Sequence, residues 1–352
     1  MKKRKRKYLV FLGAGSSIPL GFPGSVQLVK DFVTGLRRLN AVDKETMLEK
    51  IKKLKRSIVT NKFDYDSESL YSCLEGYSSP AQYAEQMGPF ACSLCKIQPV
   101  SKVRSDPISI MLRSLFEEFL ITRYYKEDPF LKLNIKSMYN RFFSKISGIK
   151  DWKSSEPDWE SSTFDIFTTN FDYVLETYSD QVNKSLFKGY RIVENDRIIF
   201  TPKEYDKTLA PLRLYKLHGS VELSLLADSN VVAHLPPGIP GTSYKGEKIS
   251  SKVMIYGIQK NIIAEPYFDL LSIFKKRLSK SKNCFVVGYS FRDPWITQIF
   301  IDVLKSAPRK IKFIGEKEST KIPKIPLLDK AIIPASRTLE EFLELELSDK
   351  GV

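Results

Sequence analysis

Four short polar clusters, each directly after an apolar run, hold the residue types that could do chemistry in this chain. They are Gly13-Ala14-Gly15-Ser16-Ser17, Thr168-Thr169-Asn170-Phe171-Asp172, His218-Gly219-Ser220 and Gly288-Tyr289-Ser290-Phe291-Arg292-Asp293. In the first, the apolar run Tyr8 to Leu12 breaks into glycines and then two hydroxyl residues. Glycine accepts a positive φ and has no side chain to block a ligand. Such a turn lets bare backbone approach a phosphate, with the amides of the following helix start facing the anion. A tight strand–helix turn packed for structural reasons is the alternative. Ligands of open α/β sheets bind outside the carboxyl ends of the strands, where all four clusters would fall. The third cluster contains one of only two histidines in the chain.

Each of these residues also has a plainer reading. Asp172, Ser290 and Asp293 fit helix caps, Asn170 fits a turn, and Arg292 fits a surface salt bridge as well as a phosphate partner. The second histidine, His234, precedes Pro236-Pro237 and reads as a solvated loop residue.

The elements that would position the clusters follow from apolar spacing. Helices are expected over 41–60, 63–86, 105–126 and 130–147, most clearly in 108–125, where apolar residues recur every three or four positions. Pro80, Pro89, Pro99 and Pro107 divide this block, and the polar stretch 151–163 ends it. Strand-length apolar runs lie at Phe164–Phe167, Leu212–Leu217, Val253–Ile255, Cys284–Val287 and Ile311–Ile314. Strands alternating with helices indicate an α/β fold, a Rossmann-like doubly wound parallel sheet. Residues 1–40 and 161–352 would form it, and 41–160 would be a large helical insertion controlling access to the ligand or carrying a self-association surface.

With 352 residues and 42% hydrophobic content, the chain can bury a sizeable core, which excludes global disorder. No apolar run approaches the length of a membrane span. The basic run Lys2–Lys7 is followed by too few apolar residues for a signal peptide, so a cytoplasmic location is expected. The net charge is +15, and that tail supplies six of the positive charges. A solvated tail is one reading of it; contact with nucleic acid or an acidic partner is the other. Four cysteines form no disulfide framework in a chain of this size. Cys92-x-x-Cys95 has metal-ligand spacing, but with Cys73 only three cysteines lie in this region and closed zinc sites take four donors. No metal is expected.

In order and combination the clusters resemble the sirtuin-type NAD-binding domain. Gly13-Ala14-Gly15-Ser16-Ser17 is similar to its Gly-Ala-Gly-x-Ser, and Gly21-Phe22-Pro23 to its Gly-Ile-Pro. Thr169-Asn170-Phe171-Asp172 resembles the Gln-Asn-Ile-Asp segment, His218-Gly219 the catalytic His-Gly, and Gly288-Tyr289-Ser290 the late Gly-x-Ser. Several features depart from the protein-deacylating members. The Asp-Phe-Arg continuation is replaced by Gly24-Ser25-Val26, and no cysteine lies between His218 and Cys284, where they carry a zinc ribbon. What remains looks like the bacterial anti-phage branch, whose members hydrolyse NAD.

The resemblance implies NAD as substrate, with Asn170 and His218 catalytic. Gly13, Ala14, Gly15, Ser16, Ser17, Thr169, Asp172, Gly288, Ser290 and Asp293 would then bind it. Nicotinamide leaves as a neutral molecule, so the developing charge on the ribose is what needs stabilising. Asn170 would orient ribose and water, Asp172 would hold the carboxamide or favour the positive charge, and His218 would take a proton near neutral pH. The resemblance further implies NAD depletion in anti-phage defence. With no sensor domain recognisable after residue 345, gating is expected from self-assembly into a homo-oligomer or from a separate regulatory subunit, a HerA-type hexameric ATPase foremost. A deacylase and a non-catalytic NAD or ADP-ribose binder are the alternatives.

Overall fold

The computed structural model describes residues 5–78, 105–124, 128–226, 232–234, 243–244, 247–254, 266–306, 311–315 and 326–345. Strand β1 (Arg6–Leu12) leads, after two short 3₁₀ turns, into helices α1 (Ser25–Arg38), α2 (Lys44–Thr60), α3 (Ser67–Ser78), α4 (Pro107–Tyr124) and α5 (Pro129–Ile146). Then follow β2 (Ser162–Thr168), α6 (Val174–Gln181), β3 (Leu186–Phe187), the hairpin β4 (Tyr190–Ile192) and β5 (Ile198–Phe200), and β6 (Leu212–Lys216). Strands β7 (Gly219–Leu226), β8 (Val232–His234), β9 (Ser243–Tyr244) and β10 (Glu247–Met254) come next. The chain closes with α7 (Tyr267–Lys280), β11 (Cys284–Val287), α8 (Pro294–Ser306), β12 (Ile311–Ile314), α9 (Pro326–Ala331), β13 (Ile332–Ser336) and α10 (Leu339–Glu344).

Seven strands form one sheet in the order β13-β12-β11-β1-β2-β6-β3. Every neighbouring pair in it is parallel. Strands of a parallel sheet covered on both faces are mainly apolar, and β2 is buried along its whole length, with its one charged residue, Asp165, paired with Arg213 of β6 at 3.5 Å. The expected α/β doubly wound architecture is what the chain adopts. From β1 it builds outward through β2 to β6, and later returns to the other side of β1 with β11. The order therefore reverses between β1 and β11, a topological switch point of the kind where open sheets bind ligands.

Aromatic packing fixes the sheet against its helices. On one face Phe11 of β1 contacts Phe274 of α7 at 5.2 Å and Phe300 of α8 at 5.6 Å. Phe143 of α5 meets Phe164 of β2 at 4.6 Å. Phe11, Phe143 and Phe164 are wholly buried, and each such side chain contributes about 1.5–3 kcal/mol of burial free energy.

Two compact units divide the chain. One draws on the described residues of Met1–Phe22, Tyr125–Met254 and Ile263–Val352; those of the other fall within Pro23–Tyr124. The boundaries thus stand at Phe22/Pro23 and Tyr124/Tyr125, where sequence spacing had put them at 40/41 and 160/161. Helix α5 belongs to the sheet unit because its aromatic face packs on β2. Helix α1 belongs to the helical unit, where Phe32 meets Phe116 of α4 at 4.8 Å. The run Val253–Ile255 was expected in the main sheet. Its described residues instead end β10, antiparallel to β7 in a separate four-stranded sheet of order β8-β7-β10-β9. A three-residue apolar run does not encode which sheet it joins.

Candidate active site

The carboxyl ends of β1, β2, β6 and β11 bring the four clusters to one edge of the sheet. The Gly13–Ser17 turn packs on the turn after β11. A Cβ on Gly13 would lie 2.6 Å from Gly288 O, and one on Gly15 2.7 Å from Gly288 Cα. These glycines are therefore required by the close approach of two backbones, the plainer of the two sequence readings. The amides behave similarly. Gly13 N–H donates to Val287 O, Gly15 N–H to Gly288 O, Ser16 N–H to Gly13 O and Ser17 N–H to Ala14 O. The expectation of a row of helix-start amides facing an anion is corrected accordingly: two 3₁₀ turns follow β1, and four of the five amides are used internally. Ala14, exposed, is in none of these bonds as a donor.

Asn170 braces this turn. Its Nδ2 lies 3.1 Å from Gly13 O, 3.2 Å from Ser16 Oγ and 3.1 Å from Ser17 Oγ. That commits the amide end of the side chain and leaves Oδ1 as the end that could address a ligand. Thr169 donates its N–H to Leu12 O at 3.2 Å, tying the same loop to β1. Asp172 accepts from Ser17 Oγ at 2.8 Å and from Val174 N–H at 3.3 Å, so part of its role is to seat the start of α6. Burial pushes the Asp172 carboxyl above its ordinary value, against the pull of Lys216 and the Ser17 hydroxyl. A carboxyl in that condition gains most from a cation placed beside it. From α5, Tyr139 lies close enough to Ser16 and Asp172 to interact with both, and burial together with the Asp172 charge pushes its hydroxyl above the ordinary value. Nothing in the sequence pointed to it.

His218 is buried, with Nε2 3.1 Å from Asp293 Oδ2. A carboxylate only accepts, so Nε2–H donates and Nδ1 becomes the acceptor of the neutral ring. The other oxygen of Asp293 accepts from the N–H groups of Trp295 and Ile296 at 2.9 and 3.0 Å. Asp293 is thus at once the cap of α8 and the orienting partner of the histidine. Its pairing with His218, 75 residues away, was invisible in sequence. The ring of Phe171 stands 6.4 Å from the imidazole, which places the Asn170 loop beside His218. Gly288 supports the β1 turn from below with φ 59°, and the half-buried Ser290 makes no hydrogen bond among the described residues.

A second polar group surrounds the base of β6 and β7. Lys216 Nζ reaches Glu176 at 2.8 Å, and Glu222 Oε2 is 2.9 Å from Lys188 Nζ and 3.1 Å from His234 Nε2. His234 is therefore a hydrogen-bond partner of Glu222 at the end of β8, not the solvated loop residue its prolines suggested. Burial opposes ionisation of Glu222, but the His234 hydrogen bond and the Lys188 and Lys216 charges outweigh it and hold its carboxyl well below the ordinary value. Such a shift adds stability that is full above the ordinary value of 4.5 and is lost as pH falls below it. Asp172 and Glu176, raised by burial, work in the opposite sense. Glu222→Gln is expected to cost about 3 kcal/mol near neutral pH, because it strands buried cations. It should also flatten the loss of stability on acidification below about pH 4.5. Urea unfolding of both proteins between about pH 7 and pH 3 checks this; parallel curves would refute it.

Among the described residues no group of three His, Cys, Asp or Glu side chains is placed to hold a metal ion. Cys92 and Cys95 lie outside the described residues. No helix among those described is long and apolar enough to cross a membrane.

Residues 165–330 match the family model of the SIR2-like domain. Of the predicted site, Thr169, Asn170, Asp172, His218, Gly288, Ser290 and Asp293 lie inside that SIR2-like region, and the β1 turn lies outside it. No curated protein matches the chain. Among solved structures, the crystal structure of a Sir2 homologue–NAD complex aligns with a TM-score of 0.45 at 12% identity, covering 97% of this chain and 86% of that one. A Sir2 enzyme bound to a propionylated peptide aligns with a TM-score of 0.43 at 12% identity, covering 97% and 90%.

Proposed function

We propose that this chain is an NAD glycohydrolase, releasing nicotinamide and ADP-ribose. The observation that carries the reading is the His218–Asp293 pair beside the Asn170 loop, at the carboxyl edge of a parallel sheet and within the SIR2-like region. A module that only bound NAD would need no oriented imidazole. In the reaction, the bond between the ribose anomeric carbon and the nicotinamide nitrogen breaks, and its electron pair leaves with nicotinamide, which becomes neutral. Water forms the new carbon–oxygen bond and gives its proton to Nδ1 of His218. The imidazolium that results is stabilised by Asp293, as a carboxylate stabilises the histidine of a hydrolytic triad. Asn170 Oδ1 orients the ribose and the attacking water. Asp172, whose burial disfavours its own charge, ionises against the cationic nicotinamide ribose and holds it.

Purified protein incubated with NAD should release nicotinamide and ADP-ribose in equal amounts. NAD left intact, both alone and with a candidate partner, would defeat the reading. Consumption that depends on an acyl-lysine peptide would instead favour a deacylase. The lack of cysteine between His218 and Cys284 argues against the zinc ribbon of that class. We place the activity in anti-phage defence, gated by self-assembly or by a HerA-type hexameric ATPase, with nucleic acid as a ligand of the basic surface or the partner. Co-expression with such an ATPase, followed by sizing of the purified assembly and measurement of NAD turnover, tests that assignment; two separate species with unchanged turnover would reject it.

A further inference from the structure

Lys216 ends β6 two residues before His218, in a strand otherwise packed into the core. Its ammonium donates to the Asp172 carbonyl oxygen at 2.7 Å and to Ser220 Oγ at 2.9 Å, and its charge pairs with Glu176 Oε1 at 2.8 Å. These belong to three segments: the loop that carries Asn170, the start of β7 just past His218, and α6. The Lys216 side chain is 11% exposed and that of Glu176 3%. Burial alone would push the ammonium down, but Glu176 and Glu222 outweigh it and hold it above its ordinary value, so it stays charged.

Taking an ammonium out of water is unfavourable, and an apolar residue of similar size would end the strand without that penalty. The backbone explains what the charge does there. The β2–β6 ladder runs through Thr168 and Lys216, with Leu217 N–H donating to Thr168 O at 2.9 Å. Past that point the two strands separate into the Asn170 and His218 loops. One long backbone bond, Val221 N–H to Phe171 O at 3.4 Å, joins them there. The Lys216 ammonium is the side-chain strap across this gap.

We propose that Lys216 is a positioning residue, setting the Asn170 loop and the His218 loop at the spacing that NAD hydrolysis requires. The activity part of this rests on the proposed function; the strap itself does not. Lys216→Met removes the charge and leaves Glu176 buried without its partner, so it can fail by unfolding. Lys216→Met combined with Glu176→Gln removes both charges, a change that buried pairs tolerate. This double variant should stay folded, with a Tm below wild type because Glu222 and Asp172 also lose the Lys216 charge. Its kcat should fall about 10- to 100-fold, the scale of an ångström of misplacement, with KM changed less. Lys216→Arg should rescue only in part, because a planar guanidinium cannot meet two acceptors and a carboxylate arranged around a point charge. Amide hydrogen exchange over 169–173 and 218–221 should quicken in the double variant without speeding elsewhere in the sheet. Wild-type kcat with unchanged exchange in a folded double variant overturns the proposal. If the wild type itself turns over no NAD, the proposed function fails, and the exchange measurement alone still decides whether Lys216 is the strap.

Discussion

His218→Ala is expected to lower NAD hydrolysis by about 10²–10⁴-fold, the usual worth of a positioned general base. Nicotinamide release measured beside the Tm separates chemistry from folding. The loss of fold stability should stay near 1–3 kcal/mol, since one carboxylate oxygen of Asp293 loses its partner while the other still caps α8. Asp293→Asn is the sharper companion. An asparagine can keep the cap through its oxygen, but then its NH₂ faces His218 Nε2, which must become the acceptor. Nδ1 then carries the proton and cannot take one from water, so activity should fall on the same scale in a protein that folds normally. Turnover near wild type in either variant would remove the histidine from the mechanism. Asn170→Ala is a poorer probe than sequence suggested, because losing its three contacts to the β1 turn also loosens the fold.

Strands β1, β2, β6, β11 and β12 were legible in the sequence as short, mainly apolar runs, and the first four of them are each followed by a polar cluster. The same logic placed Asn170, Asp172, His218 and Gly288 on one edge. Antiparallel β7–β10 was not legible: Glu222 and Lys252 interrupt its pattern, and its pairing partners are set by contacts remote in sequence. Lys216, Glu176 and Glu222 were passed over for a related reason. Charged residues look like surface residues in a sequence, and only the fold reveals that these neutralise one another in the interior. The roles of the glycines also changed. Gly-Ala-Gly after a strand signals close approach, but sequence does not say what approaches; here it is the chain itself.

That contact makes Gly288→Ala a strongly disruptive substitution. Gly288 has φ 59°, the left-handed region in which a Cβ costs about 1–2 kcal/mol. An added Cβ would lie 2.3 Å from Ser16 N, 2.4 Å from Gly15 C and 2.5 Å from Gly15 Cα. All three are backbone atoms, so no side chain can rotate away, and overpacking of this kind costs about 1–3 kcal/mol more. Relief requires the two turns to part, which breaks the Gly15–Gly288 hydrogen bond and shifts the acceptors that Asn170 holds. The expected result is a loss of about 2–5 kcal/mol, together with loss of NAD turnover in whatever fraction still folds. Gly35→Ala is the control. Gly35 lies inside α1 with nothing within 4 Å of its added Cβ, so alanine there should stabilise by about 0.5–1 kcal/mol. Urea unfolding of the two variants should move in opposite directions from wild type. Equal midpoints for Gly288→Ala and wild type would mean that the two turns are not pressed together, and the seat assigned to Asn170 would fall with them.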